Sequence, residues 1–141
     1  MAFDNYFKLE FDAKNVNESF ARGVVAMFCT ELKPTLSEVN DIKTAVSEAV
    51  TNSIVHGYQN NGGKILLEVG LDGNKVDIKV SDTGVGIGDI DMALQPFFTT
   101  KSQEEHSGMG FTLMDSFMNY LEVKPNVPSG LIVHMQKVIK G

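Results

Sequence analysis

Ile65-Leu66-Leu67-Glu68-Val69-Gly70-Leu71 runs through Asp72-Gly73-Asn74 into Lys75-Val76-Asp77-Ile78-Lys79-Val80. Ile65, Leu67, Val69 and Leu71 fall on one side of an extended chain, and Val76, Ile78 and Val80 repeat the alternation. Asp72-Gly73-Asn74 supplies the turn chemistry of a hairpin. Two strands joined this tightly must pair antiparallel, so a sheet with long crossovers is excluded at this point of the chain.

The flanking sequence supplies the rest of the sheet and its cover. Phe7, Leu9 and Phe11 alternate within residues 6–11 and predict another half-buried strand. Residues 15–32 carry Phe20, Val24, Met27, Phe28 and Leu32 at helical spacing, with Asn17 as the expected cap and Pro34 beyond the end. Thr35-Leu36-Ser37-Glu38 is a capping box and opens a longer helix reaching to about His56. Gly57 and Asn60-Asn61-Gly62-Gly63 turn the chain into the hairpin. After it come a glycine-rich loop from Asp82 to Gly88 and a short helix to Leu94, stopped by Pro96. Residues 97–108 form a long polar loop, residues 110–120 a helix, and residues 121–124 with 131–138 a closing hairpin around Pro128-Ser129-Gly130. The pattern predicts an α/β two-layer sandwich, a mixed, largely antiparallel sheet with helices on one face, as one domain over residues 1–141. It is not the doubly wound sheet of dinucleotide-binding folds.

Composition narrows the function. The 141 residues carry 18 acidic and 12 basic side chains, a net charge of −6, and Arg22 is the only arginine. Nucleic-acid grooves and anionic membrane surfaces are built from clustered Lys and Arg, so both are disfavoured as partners. Cys29 is the only cysteine, which leaves no internal disulfide and no cysteine-based zinc site. No apolar run approaches the ~18 residues of a membrane span, and residues 1–11 do not read as a signal peptide. A cytoplasmic protein is expected.

Several residue groups could carry chemistry. Glu48 and Asn52 lie one helical turn apart and point the same way. A carboxylate beside a carboxamide can hold a divalent cation and polarise a hydroxyl, and it can equally be a solvated helix face. Asp82-Thr83-Gly84-Val85-Gly86-Ile87-Gly88 leaves a strand with glycines that let backbone approach a ligand, or that only make a turn. It lacks the spacing of the dinucleotide fingerprint, and the chain has no Walker A motif. Ser107-Gly108-Met109-Gly110 opens a helix, where backbone amides suit phosphates, and Thr99-Thr100-Lys101 lies upstream. The length of this loop favours a lid over a plain surface loop. His56 reads as a helix-dipole partner and His106 as an exposed lid residue. His134 has no companion at metal spacing, and Asp41 and Asp115 read as solvated. Cys29 and Met109, Met114 and Met118 read as packing residues.

The order of these groups is more specific than any of them alone. Glu48-Ala49-Val50-Thr51-Asn52 on a helix, then Asp82-Thr83-Gly84-Val85-Gly86-Ile87, then Ser107-Gly108-Met109-Gly110-Phe111 opening a helix, resembles the three nucleotide boxes of the GHKL ATPase/kinase superfamily. The stretch from Val46 through Glu48, Asn52 and His56 to Tyr58 is similar to anti-sigma factor serine kinases of the sporulation type. So is Gln95-Pro96-Phe97-Phe98-Thr99-Thr100-Lys101, and the likeness runs from about Tyr6 to Val138.

The resemblance implies ATP or ADP and Mg²⁺ as ligands. It implies Glu48 as the base for an acceptor serine and Asn52 as the Mg²⁺ ligand. Asp82 would read the adenine, with Gly84, Gly86 and Ile87 shaping the pocket. Thr99, Thr100 and Lys101 would belong to the lid, and Ser107, Gly108, Met109, Gly110 and Phe111 to the phosphate box. Arg22 would contact protein partners. The implied partners are a sigma factor (sigma F), an anti-anti-sigma factor as serine substrate, and a second copy of the chain, without direct contact to nucleic acid or membrane. Two alternatives stay open: a nucleotide-dependent sigma-binding module with little kinase activity, and a stress-response relative with another sigma partner. The chain departs from the family pattern at Leu131, where a threonine hydroxyl is usual, at Gly88, where proline is usual, and at His106, where arginine is frequent.

Overall fold

The computed structural model describes residues 2–94 and 110–141. The described elements are β1 (Asn5–Asp12), α1 (Val16–Phe28), α2 (Leu36–Asn52), β2 (Lys64–Asp72), β3 (Lys75–Ser81), α3 (Ile90–Ala93), α4 (Gly110–Phe117), β4 (Tyr120–Pro125) and β5 (Leu131–Val138). A 3₁₀ turn, Cys29–Leu32, extends α1, and a π-helical turn, Ser53–Gly57, extends α2. The sheet order is β1-β2-β3-β5-β4. Every pairing among these strands is antiparallel, so the expected mixed sheet is wholly antiparallel among the described residues.

Register converts the period-two sequence pattern into one apolar face. Leu9, Leu67, Val80, Val133 and Val123 form one row across the strands, and Phe7, Val69, Ile78, Met135 and Leu121 form the next. A one-residue slip would turn these rows into water, which is what fixes the pairing. On the opposite face Lys8, Glu68 and Lys79 alternate in sign along one row that continues through His134 to Glu122, an arrangement suited to solvent.

α2 lies between α1 and α4 against the apolar face. Its Ile42, Ala45, Val46, Ala49 and Val50 are fully buried. The alanines keep the helix close to the sheet. Thr35 Oγ accepts from the Glu38 amide at 3.1 Å and Glu38 Oε1 accepts from the Thr35 amide at 2.9 Å, so the expected capping box forms. Glu38 Oε2 also accepts from the Lys140 amide at 2.7 Å, tying the chain end to the start of α2. These backbone amides, Lys140 first and Thr35 next, pull the Glu38 carboxyl from 4.5 down to about 2. The folded value is depressed, so the stabilisation is present above the ordinary carboxylate range and is lost as pH falls toward about 2. Urea unfolding midpoints measured from pH 6 down to pH 2 should therefore fall less steeply for Glu38→Gln than for the unsubstituted chain.

The first helix departs from expectation in two ways. Asn17 is not its cap: the helix starts at Val16, and the Asn17 side-chain amide donates to the Asp12 carbonyl at 2.9 Å. The buried stripe is Ala21, Val25 and Cys29, while Phe20 is 49% and Met27 76% exposed. α1 carries two apolar stripes, and the one with smaller side chains is fully buried. Of the larger stripe, Phe28 and Leu32 pack partly buried against the core, and Phe20 and Met27 border an apolar groove with Phe7 and Phe28. Cys29 is sealed in the core, where burial pushes its thiol up to about 12 and leaves it inert.

α4 ends at Phe117, short of the expected residue 120, because Tyr120 already pairs in β4. Lys137 Nζ closes that end by donating to the Phe117 carbonyl at 2.6 Å and pairing with Asp41 at 3.2 Å, so Asp41 is an ion-pair partner. Among the described residues no helix is long and apolar enough to cross a membrane.

Candidate functional site

The site assembles where the end of α2 meets the loop after β3. Asp82 is 2% exposed, so its carboxylate must be held by donors. Ser53 Oγ donates to its Oδ2 at 2.8 Å and the Gly84 amide to its Oδ1 at 3.0 Å. Its own amide donates to the Leu131 carbonyl at 3.0 Å, and the Asn126 side-chain amide donates to its carbonyl at 2.8 Å. Burial raises the Asp82 pKa, and the Gly84 and Ser53 hydrogen bonds oppose that shift.

The glycines shape this corner by close approach. A Cβ on Gly84 would sit 2.0 Å from the Gly57 carbonyl oxygen, which itself accepts from the Val85 amide at 2.9 Å. A Cβ on Gly130 would sit 2.0 Å from the Asp82 carbonyl oxygen, and its φ of +100° is a glycine conformation. Gly88 meets nothing within 4 Å, so the loop is open there, as its departure from the family pattern implies. Tyr58 ties the corner to β2: its hydroxyl accepts from the Thr83 amide at 2.9 Å and donates to the Lys64 carbonyl. Ser129 Oγ donates to the Thr83 carbonyl at 3.0 Å from the other side.

Asp82 opens into a narrow cleft lined also by Asn52, His56, Gly86, Ile87 and Leu131. The cleft brings together Asn52, Asp82, Gly86 and Ile87, four of the residues expected to bind nucleotide. Gly84 stands behind its wall. Asn52 is 6% exposed, which rules out a merely solvated helix face at that position. One wall is apolar at Leu131, which is 2% exposed. His56, read from sequence as a dipole partner, is the basic residue in the last turn of the π helix and also lines the cleft.

Glu48, one turn earlier on α2, opens into a neighbouring polar groove between α1 and α2. Glu18, Arg22, Lys43 and Ser47 share that groove. Arg22 is 40% exposed and pairs with Glu18 at 3.2 Å, and Glu18 in turn accepts from Ser47 Oγ at 2.8 Å. The expected partner residue and the expected base thus lie in one groove.

Gly110 begins α4 and is buried with Phe111 at the helix start. Thr99, Thr100, Lys101, His106, Ser107, Gly108 and Met109 lie outside the described residues. His134, which has no metal role among the described residues, has Nε2 within 2.7 Å of Asp77 Oδ1 on the open sheet face.

Sequence reasoning missed Ser53, Tyr58 and Asn126. Each acts through a long-range contact that no local spacing signals. Ser53 and Tyr58 did stand inside the stretch quoted for the family resemblance.

The Asp82 carboxylate gives the cleft an acceptor for an amine. Asp82 offers an acceptor lone pair on each oxygen beyond those already used. A Cβ at Gly57 would lie 3.0 Å from the Asp82 carboxylate, and one at Gly86 3.1 Å from the Gly130 carbonyl oxygen, so side chains there would crowd the cradle. Asn52 is a single oxygen donor, which fits a Mg²⁺ ion that keeps its waters and is held chiefly through phosphates.

Known proteins resemble this chain in sequence and in fold. The sequence profile of the histidine kinase-like ATPase domain matches residues 10–137. An anti-sigma F factor of Thermoanaerobacter sp. (strain X514) is 52% identical over 139 residues, covering 99% of this chain and 97% of that protein. The anti-sigma F factor of Clostridium kluyveri (strain ATCC 8527) is 51% identical over 139 residues, with 99% and 98% covered. Among solved structures, the RsbU and RsbW domains of a Mycobacterium tuberculosis protein align with a TM-score of 0.68 at 17% identity, over 96% of this chain and 32% of that longer one. The catalytic domain of the histidine kinase ThkA aligns with a TM-score of 0.59 at 21% identity, over 94% and 96%. At these identities the structures speak to the fold, and the curated relatives to the family. The chain belongs to the histidine kinase-like ATPase domain family and, within it, to the anti-sigma F factors.

Proposed function

We propose that this protein is a Mg²⁺–ATP-dependent serine kinase that also sequesters a sigma factor, sigma F, and phosphorylates a serine of an anti-anti-sigma factor. The observation that carries the reading is the placement of α2. One turn of it gives Asn52 to the cleft of Asp82, and the preceding turn gives Glu48 to the groove of Arg22. Nucleotide chemistry and a protein surface meet along a single helix.

The roles follow from side-chain chemistry. Asp82 accepts a hydrogen bond from the exocyclic amine of adenine, with Gly84, Gly86 and Ile87 shaping its surroundings. Asn52 presents its carboxamide oxygen to the metal. Thr99, Thr100 and Lys101 belong to the lid, and Ser107, Gly108, Met109, Gly110 and Phe111 to the phosphate box. Bound Mg²⁺–ATP supplies the transferable phosphoryl group. Glu48 orients the acceptor serine and takes its hydroxyl proton onto a carboxylate oxygen. Arg22 anchors the protein partners beside it, pre-oriented by Glu18.

A second copy of the chain covers the apolar groove of α1, where Met27 and Phe20 stand exposed beside the edge strand β1. Patches of that kind on a soluble domain mark association sites. The location is cytoplasmic, where a sigma factor is found.

Two substitutions test the division of labour. Arg22→Glu should weaken sigma binding about 30-fold or more, the effect of a hot-spot arginine, while nucleotide affinity stays intact. Asn52→Ala should weaken ATP binding in Mg²⁺ and leave metal-free binding nearly unchanged. Titration calorimetry with ATP and with sigma F reads both. Unaltered affinity for both proteins would reduce Arg22 to a surface residue, and equal ATP affinity with and without Mg²⁺ would remove Asn52 from the metal.

A further inference from the structure

We infer that Ser53 is a positioning residue that sets the base selectivity of the cleft by holding the Asp82 carboxylate from behind. The inference rests on the proposed reading of Asp82 as the adenine carboxylate and adds a residue to it.

Ser53 is 1% exposed and does not line the cleft, whereas Asp82 does. Its hydroxyl reaches Oδ2 at 2.8 Å while the Gly84 amide reaches Oδ1 at 3.0 Å. The two donors each take one lone pair of a different oxygen, which fixes the plane of the carboxylate. One lone pair per oxygen remains for a ligand.

The local backbone explains how a helical serine comes to face a loop after β3. α2 does not stop at Asn52 but widens into the π turn of Ser53–Gly57. The Tyr58 amide bonds back to the Ser53 carbonyl at 2.8 Å, across five residues. Single π turns of this kind occur mostly at functional sites. This one also packs Gly57 against the same carboxylate.

Removing the hydroxyl leaves a buried carboxylate oxygen short of a donor. Such a group answers by rotating or by taking a proton, which burial already favours at Asp82. Either response spoils an acceptor for the 6-amino group of adenine. A hypoxanthine ring carries an oxygen at that position, which accepts from a protonated carboxyl, so it does not share the loss. Loss of the Ser53 hydroxyl should therefore cost selectivity and not binding in general.

The test compares Mg²⁺–ATP and Mg²⁺–ITP affinities by calorimetry in the full chain. The unsubstituted protein should prefer ATP. Ser53→Ala should weaken ATP about tenfold, the scale of one hydrogen bond to a charged group, and leave ITP affinity undiminished or improved. Ser53→Thr, which restores a hydroxyl, should recover most of the preference. Ser53→Cys keeps the volume with a weak donor and should behave like Ser53→Ala, which guards against a folding defect in the alanine variant. An equal loss for ATP and ITP would make Ser53 a structural residue only, and no loss for either would make its hydroxyl idle; both overturn the inference. If the unsubstituted chain binds ATP and ITP equally, the reading of Asp82 itself fails, and that outcome is seen before any variant is made.

Discussion

Glu48→Gln should lose phosphoryl transfer to a protein serine by about 100- to 10,000-fold, the usual contribution of a general base. Nucleotide affinity should stay within about twofold, because the carboxamide keeps the shape and polarity of the side chain and lacks only the ability to accept a proton. The prediction follows from where Glu48 stands. It is partly buried, and it opens into the groove that also holds Arg22 and not into the cleft of Asp82. A residue that only supported the nucleotide would show the reverse pattern, weaker binding with transfer in proportion. Single-turnover transfer with saturating ATP, beside an equilibrium binding measurement, separates the two. Full transfer by the variant would remove Glu48 as the base.

Gly84→Ala should be severely damaging, as a methyl group at Gly130 would also be. The Cβ at Gly84 would lie 2.0 Å from the Gly57 carbonyl oxygen and 2.3 Å from that carbonyl carbon. Both are backbone atoms at the end of α2, so no side chain can swing away. The loop must lift, breaking the Val85 amide bond to Gly57 and the Gly84 amide bond to Asp82. A cost of about 3 kcal/mol or more is expected, the upper range of overpacking at a buried site, with nucleotide binding lost. Gly88→Ala is the internal control. A Cβ there meets nothing within 4 Å, and the stability change should stay within about 0.5 kcal/mol. Thermal unfolding of the two variants should differ sharply; equal stability would mean that the close approach at Gly84 does not constrain the folded chain.

How much of this was legible in the sequence depends on the range of the interaction. The alternation of Ile65, Leu67, Val69 and Leu71 and the capping box at Thr35 and Glu38 are local patterns, and the structure realises both. The first helix carries two apolar stripes, and the structure buries Ala21 and Val25 fully while leaving Phe20 and Met27 exposed. Periodicity cannot choose between two such faces. In the site, Asn52 and Asp82 were found from motif order, and the cleft brings them together. Ser53 and Asn126 reach Asp82 across separations of 29 and 44 residues, so nothing near them in sequence announces the contact. The π turn that aims Ser53 is likewise a tertiary outcome, since residues 53–57 contain no helix breaker before Gly57.

Arg22, the single arginine, gains a sharper meaning from the geometry. The acidic composition argues against a nucleic-acid groove, and it leaves room for an anionic ligand held by backbone amides and a metal. Arg22 is not among the residues that line the cleft of Asp82. It sits in the Glu48 groove, pinned by Glu18, where a protein partner would meet it.

The most direct test of the central claim is incubation of the full chain with Mg²⁺ and γ-labelled ATP in the presence of an anti-anti-sigma protein, followed by phosphoamino-acid analysis. The account predicts label on serine of that protein, none on the chain itself, and loss of label with Glu48→Gln. ATP binding and sigma sequestration without any phosphoserine would contradict the kinase claim and leave a nucleotide-dependent sigma-binding module.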